Sequence, residues 1–258
     1  MLWRLVFRKC WRRTSNIIMR RTNLPSIYLE MCCALGLTTF VGLAQEKPII
    51  DIPKSAYTIA AEATVKSDGE QEKKAEEWAA SLKLNDAVKE RRVATIITTH
   101  LKTIRDWHNE HPYTTVPSGI NPVTGKPLSQ LDRQLIADSA ISKNAHENLM
   151  SGLRGELSLD QVEAILDKYT VGKVAFTMKG YKAIVPDLTP DEEKTILGFL
   201  KQAREQAVDY KSMVEISAIF EIYKTKSEQF LNANGRDWNK LYKTFSEAAK
   251  AKKAQVIK

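Results

Sequence analysis

Apolar and aromatic side chains recur at alternating spacings of four and three through Val93, Ile97, His100, Ile104, Trp107 and His111. A helix of 3.6 residues per turn puts all six on one face, so this stretch predicts an amphipathic helix. Ala75, Trp78, Ala79 and Leu82 predict a shorter helix before it, and Asn85 reads as the N-cap of the main one. Pro112 ends it. Pro112, Pro117, Pro122 and Pro127, with Gly119 and Gly125, then exclude helix and predict a long loop. Helical signals resume at Ser129, with Asp132 in the capping-box position, again after Ser142, and at Ser158 with Gln161 completing a box. Thr189-Pro190-Asp191-Glu192 combines a cap, a proline in the first turn and a box glutamate. Ile196, Leu200, Ala203, Ala207 and Tyr210 form one face, and Met213, Ile216, Phe220, Tyr223 and Phe230 the next. The phase slips between the two faces, which predicts a break near 209–212. Gly235 stops that helix, and Trp238, Leu241, Tyr242 and Phe245 mark a last one. The expected fold is all-α: a single helical domain of about seven or eight helices over 71–250. It follows an extended lead-in over 45–70 and precedes a basic tail over 251–258. One departure is admitted, a small β-hairpin at 174–185, where Val174–Met178 and Tyr181–Val185 flank Lys179-Gly180.

The first 44 residues have a different character. Arg20 and Arg21 precede an uncharged run from Met31 to Ala44 that ends in Gly42-Leu43-Ala44, the pattern of a signal peptide cleaved before Gln45. The run is shorter than the roughly 20 residues that span a bilayer. A periplasmic or secreted protein without stable membrane insertion is therefore expected after cleavage. Translation from Met1 or from Met19 fits equally, because residues 1–18 form an upstream basic extension. Lipidation at Cys32 is disfavoured by Met31 before it. This segment changes the charge argument. Seven of the 39 basic residues and one of the 31 acidic residues lie in it, which leaves 32 and 30, a net charge of +2. A nucleic-acid partner is not expected on that balance. All three cysteines (Cys10, Cys32, Cys33) also precede Gln45, so no disulfide or thiolate chemistry is expected beyond it.

Phosphate-binding glycine loops, nucleophile elbows and HExxH are absent from the sequence. Two aromatic-polar clusters stand out, each at a helix end. Asp106-Trp107-His108-Asn109-Glu110-His111-Pro112-Tyr113 combines flat apolar rings with planar donors and acceptors, the set that a sugar requires. Trp107 and His111 also lie on the periodic face and fit a core role, as does His100. His108, His111 and Glu110 have helical spacing for a metal but lack a further histidine close by, so no metal or cofactor is expected. The second cluster is Asn232 to Trp238. There Gly235 and Asp237 read as ordinary caps, Trp238 packs the start of the last helix, and Arg236 is unexplained. We expect the two clusters to meet in one cleft, with Trp107, His108, Glu110, His111, Tyr113, Arg236, Asp237 and Trp238 as ligand-binding residues. Arg236 would hold a hydroxyl or a carboxylate there. Any acid/base chemistry would fall to Asp106, Glu110 and Asp237.

Segments spread along 75–238 carry a resemblance to a known family. They are Ala75-Glu-Glu-Trp78, the stretch Thr99 to His111, Ile165-Leu-Asp-Lys-Tyr-Thr170, Gly180-Tyr-Lys-Ala-Ile-Val-Pro186, Ala203-Arg-Glu-Gln-Ala207 and Leu231 to Trp238. They resemble an exported family of glycan-degrading gut bacteria, a domain of unknown function described as sugar-binding. The resemblance implies a carbohydrate partner and a role in glycan utilisation, and it carries no catalytic residues. The alternative is a non-enzymatic helical envelope protein with a chaperone-like or structural role. Leu157-Ser158-Leu159-Asp160-Gln161 and Leu188-Thr189-Pro190-Asp191-Glu192 resemble the Leu-Thr-x-x-Gln motif of small periplasmic helical chaperones, although both also read as capping boxes.

Overall fold

A computed structural model describes residues 56–256, Val123 excepted. The signal segment, the proposed cleavage point and residues 45–55 of the lead-in lie outside the described residues. Among the described residues nine α-helices follow one another: α1 (Ala56–Ala80), α2 (Ala87–Glu110), α3 (Gln130–Asp138), α4 (Lys143–Glu156), α5 (Leu159–Tyr169), α6 (Lys173–Ile184), α7 (Pro190–Ala207), α8 (Met213–Ala233) and α9 (Trp238–Val256). The fold is all-α, as the periodicity requires. Among the described residues no helix is long and apolar enough to cross a membrane.

Two helical groups make up the packing. In the first, α1 and α2 pair, and α4 and α5 close on them. Ala75 and Ala79 present small side chains to Val93, Ile97 and Leu101, with Leu149, Leu153, Ile165 and Leu166 completing a continuous core. Gly152 lets α4 approach α2, because a Cβ there would lie 3.1 Å from Ile96. In the second group, α7 and α8 form a long hairpin covered by α6 and α9. Tyr181, Ile196, Leu200, Phe220, Leu231 and Trp238 are all buried in this group. Arg204 of α7 joins the groups, pairing at 2.6 Å with Glu163 and 2.7 Å with Asp167 of α5.

The helix boundaries carry their own chemistry. Reciprocal capping boxes close at Ser129–Asp132, Ser158–Gln161 and Thr189–Glu192, and a further one, not anticipated, at Ser212–Glu215. The expected break falls between Ala207 and Met213. Gly235 takes φ +84, which favours glycine, and ends α8 with its N–H bonded to the Asn232 carbonyl.

Three expectations need correction. The cap of α2 is Asp86, whose carboxylate accepts from the Val88 and Lys89 amides, while Asn85 sits in the left-handed region at φ 55. Residues 56–70 are helical and continuous with the helix expected from Gln71. The side chains over 61–66 are exposed and lack an apolar period, so pattern alone misses them. This part of the helix meets α2 through charge, with Asp68 2.6 Å from Arg105 and Glu72 2.8 Å from Lys102. Finally, 174–185 is not a hairpin. Residues 174–184 lie in α6 and Val185 is its C-cap, and the buried positions Val174, Thr177, Met178, Tyr181, Ile184 and Val185 follow the helical spacing. The local alternation of apolar and polar residues is overridden by packing against α7 and α9.

Candidate functional site

Three of the chain's four histidines converge on carboxylates around the α7–α8 turn. The helix ends after Ala207, and residues 208–211 carry Asp209 and Tyr210 into the angle between α2, α4 and α5. His100, on the buried face of α2, places Nε2 3.0 Å from Asp209 Oδ1 and Nδ1 3.2 Å from the Tyr169 hydroxyl. His146 of α4 places Nδ1 2.9 Å from Asp209 Oδ2. An ionised carboxylate only accepts, so each histidine donates to it. Burial pushes the Asp209 carboxyl up, and the hydrogen bonds from His100 and His146 outweigh that, so it ionises below its ordinary value. The same bond raises His146 against the opposing effect of burial. Burial, reinforced by the charge of Asp209, pushes the Tyr169 hydroxyl well up, so it remains a donor and bonds to His100 Nδ1.

A second cluster adjoins the first. His108, near the end of α2, places Nδ1 3.0 Å from Asp138 Oδ2 and 3.8 Å from Glu215 Oε1. Gln134 holds Asp138 from the other side through an Nε2–H donated to Oδ1 at 3.0 Å. The Tyr210 hydroxyl feels the charges of both clusters. Burial, and the charges of Asp138, Asp209 and Glu215, push its hydroxyl up to about 12.

A pocket of about 610 Å³ opens over this junction. Asp138, His146, Glu205, Asp209, Tyr210 and Tyr223 line it, together with Gln202, Gln206, Ser139 and Ser142. The lining combines two tyrosine rings with acceptors, amides and hydroxyls. Its charged groups are mostly acidic, offset by Lys143 and His146.

The residues expected to form the site are placed as follows. Trp107, His108, His111 and Tyr113 lie together where α2 meets α3. Trp107 stacks on His111 at 3.7 Å between centroids, and its indole N–H donates to the Ala137 carbonyl at 3.1 Å. The Tyr113 hydroxyl accepts from Gln130 at 3.3 Å. Glu110 is exposed, and Asp106 is paired with Arg105. The other expected cluster is elsewhere. Arg236 donates to both oxygens of Glu192, at 2.7 and 2.8 Å, and to Asp187. Asp237 caps α9 through the Lys240 amide. Trp238 is buried against Tyr181, with ring centroids 5.3 Å apart. Glu215 opens α8 beside His108, and Arg236 follows its far end, so about 27 Å of helix separates the groups at 1.5 Å per residue. The expected shared cleft is not formed, and Arg236 is committed to carboxylates of its own chain.

Asp138, His146, Asp209, Tyr210 and Glu215 were missed by sequence reasoning. The single usable signal was the break at 209–212, which had to expose a turn. The others look locally ordinary, and Glu215 satisfies a capping box.

Comparison with known families matches residues 69–251 to the family described as "Protein of unknown function (DUF3826)". The match covers every residue of the pocket, and the chain belongs to this family. No curated protein matches the chain.

Proposed function

We propose that this DUF3826 protein is exported and binds a neutral carbohydrate in the pocket between α4, α7 and α8, in the service of glycan utilisation. The composition of the pocket carries the reading. Sugars present hydroxyl donors on their edges and C–H groups on their faces. The lining supplies carboxylate and amide acceptors for the first and the rings of Tyr210 and Tyr223 for the second. The His100–Asp209–His146 bonds hold the pocket's polar wall in one orientation before a ligand arrives, which lowers the entropy lost on binding. Asp138, Glu205 and Asp209 would repel an acidic sugar, so uronic acids should bind worst.

A glycan array with the purified protein tests this. Neutral glycans are expected to bind. Tyr223→Ala should weaken them about tenfold, the value of one aromatic stacking contact. Failure to retain any glycan, or a preference for uronic acids, would overturn the reading.

A further inference from the structure

We infer that His108, Asp138 and Glu215 form a site for a divalent transition cation, held where α2, α3 and α8 meet. His108 Nδ1, one Asp138 oxygen and one Glu215 oxygen lie within 4.8 Å of one another. The separations from His108 Nδ1, 3.0 and 3.8 Å, bracket the roughly 3.3 Å between donors of a tetrahedral ion with bonds near 2.0 Å. One imidazole with two carboxylates suits Zn²⁺ or Mn²⁺ better than Ca²⁺ or Mg²⁺, which prefer oxygen alone.

The charge and bonding of the cluster point to a cation independently of that spacing. Asp138 and Glu215 are both buried, with side chains 3% and 5% exposed. Among the described residues neither has a lysine or arginine partner. Two buried carboxylates side by side cost several kcal/mol unless something positive joins them. The free oxygen of Glu215 is directed at this point. Oε2 accepts from the Ser212 amide at 3.0 Å, whereas Oε1 lies 3.8 Å from His108 Nδ1, beyond hydrogen-bonding reach.

The supporting shell is also in place. Gln134 donates to the second oxygen of Asp138 and, through the same amide nitrogen, to the His111 carbonyl at 3.1 Å. The Ser212 cap fixes Glu215, and the Trp107–Ala137 bond anchors the end of α3 that carries Asp138. Such partners are what orient metal ligands. Asp138 also lines the pocket, so an ion held here would face whatever binds there.

The inference does not depend on the carbohydrate reading and is tested without a glycan. The chelator-stripped protein is titrated with Zn²⁺ and with Mn²⁺ by calorimetry, with thermal unfolding followed in parallel. One equivalent of at least one ion is expected to bind and to raise the unfolding temperature. Glu215→Gln retains the reciprocal bond to the Ser212 amide, since glutamine also serves in capping boxes, and removes the charge. It should fold as the parent does and bind the ion at least about tenfold more weakly. His108→Ala, a second variant outside any cap, should do the same. No stoichiometric uptake of either ion, or equal uptake by the parent and both variants, would overturn the inference.

Discussion

Arg236 is the residue whose role changes most between sequence and structure. Its fork of donors, expected to hold a ligand, instead bridges Asp187 and the buried Glu192. The hydrogen bonds from Arg236 hold the Glu192 carboxyl down at about 2. A lowered carboxylate value stabilises the fold above the ordinary carboxyl range and loses that contribution as pH falls toward 2. Arg236→Ala should therefore cost about 3 kcal/mol in urea unfolding at neutral pH, because it leaves a buried carboxylate unpaired. A loss below about 0.5 kcal/mol, the ordinary surface value, would contradict this role. At the other end of α7 the sign reverses. His146 is raised by its bond to Asp209, so its contribution is complete below the ordinary histidine value of 6.5 and is lost as pH rises through the folded value. The stability gap between the parent and Asp209→Asn should accordingly narrow as pH rises from below the ordinary histidine value of 6.5 into the alkaline range. A gap that stays constant over that range would show that the charge on His146 adds nothing.

Among the helices, one substitution with two signs tests the assignments. Gly198 lies inside α7, where an added Cβ meets nothing within 4 Å. Gly198→Ala should stabilise by about 0.5–1 kcal/mol through helix propensity. Gly235 sits at φ +84 beyond α8, where a side chain is strained, so Gly235→Ala should destabilise by about 1 kcal/mol. Thermal unfolding of the two variants checks both signs, and the same sign in each would refute one of the two placements. Helix existence was readable because side chains that cap, such as Ser129, Ser158 and Thr189, act on backbone only three residues away. Helix α6 was misread for the opposite reason. Its apolar residues are dense enough to satisfy both periods, and the choice is made by Tyr181, whose hydroxyl reaches the Lys224 carbonyl 43 residues on. The start of α1 was missed because its tie to α2 is made by charges rather than by an apolar face.

At the scale of the whole molecule, the candidate site is a product of topology. Asp138, His146, Asp209 and Tyr223 come from α3, α4, the α7–α8 turn and α8, so each sits on a different element. Local pattern exposes only clusters contiguous in sequence, and the two present here are pinned to opposite ends of α8. The chaperone-like alternative calls for an exposed apolar cradle. Among the described residues the exposed large apolar side chains Val65, Val88, Ile136, Leu159, Phe176, Val214 and Ile222 are distributed over six helices, the last two sharing α8. Ligand is expected to enter at the junction of α4, α7 and α8. Titrating a neutral glycan into isotope-labelled protein, with the side-chain resonances of His146 and Tyr223 followed beside the indole of Trp238, tests that location most directly. Saturable shifts are expected at His146 and Tyr223 with Trp238 unmoved. Shifts centred on Trp238, or none at His146 and Tyr223 when the glycan is bound, would contradict it.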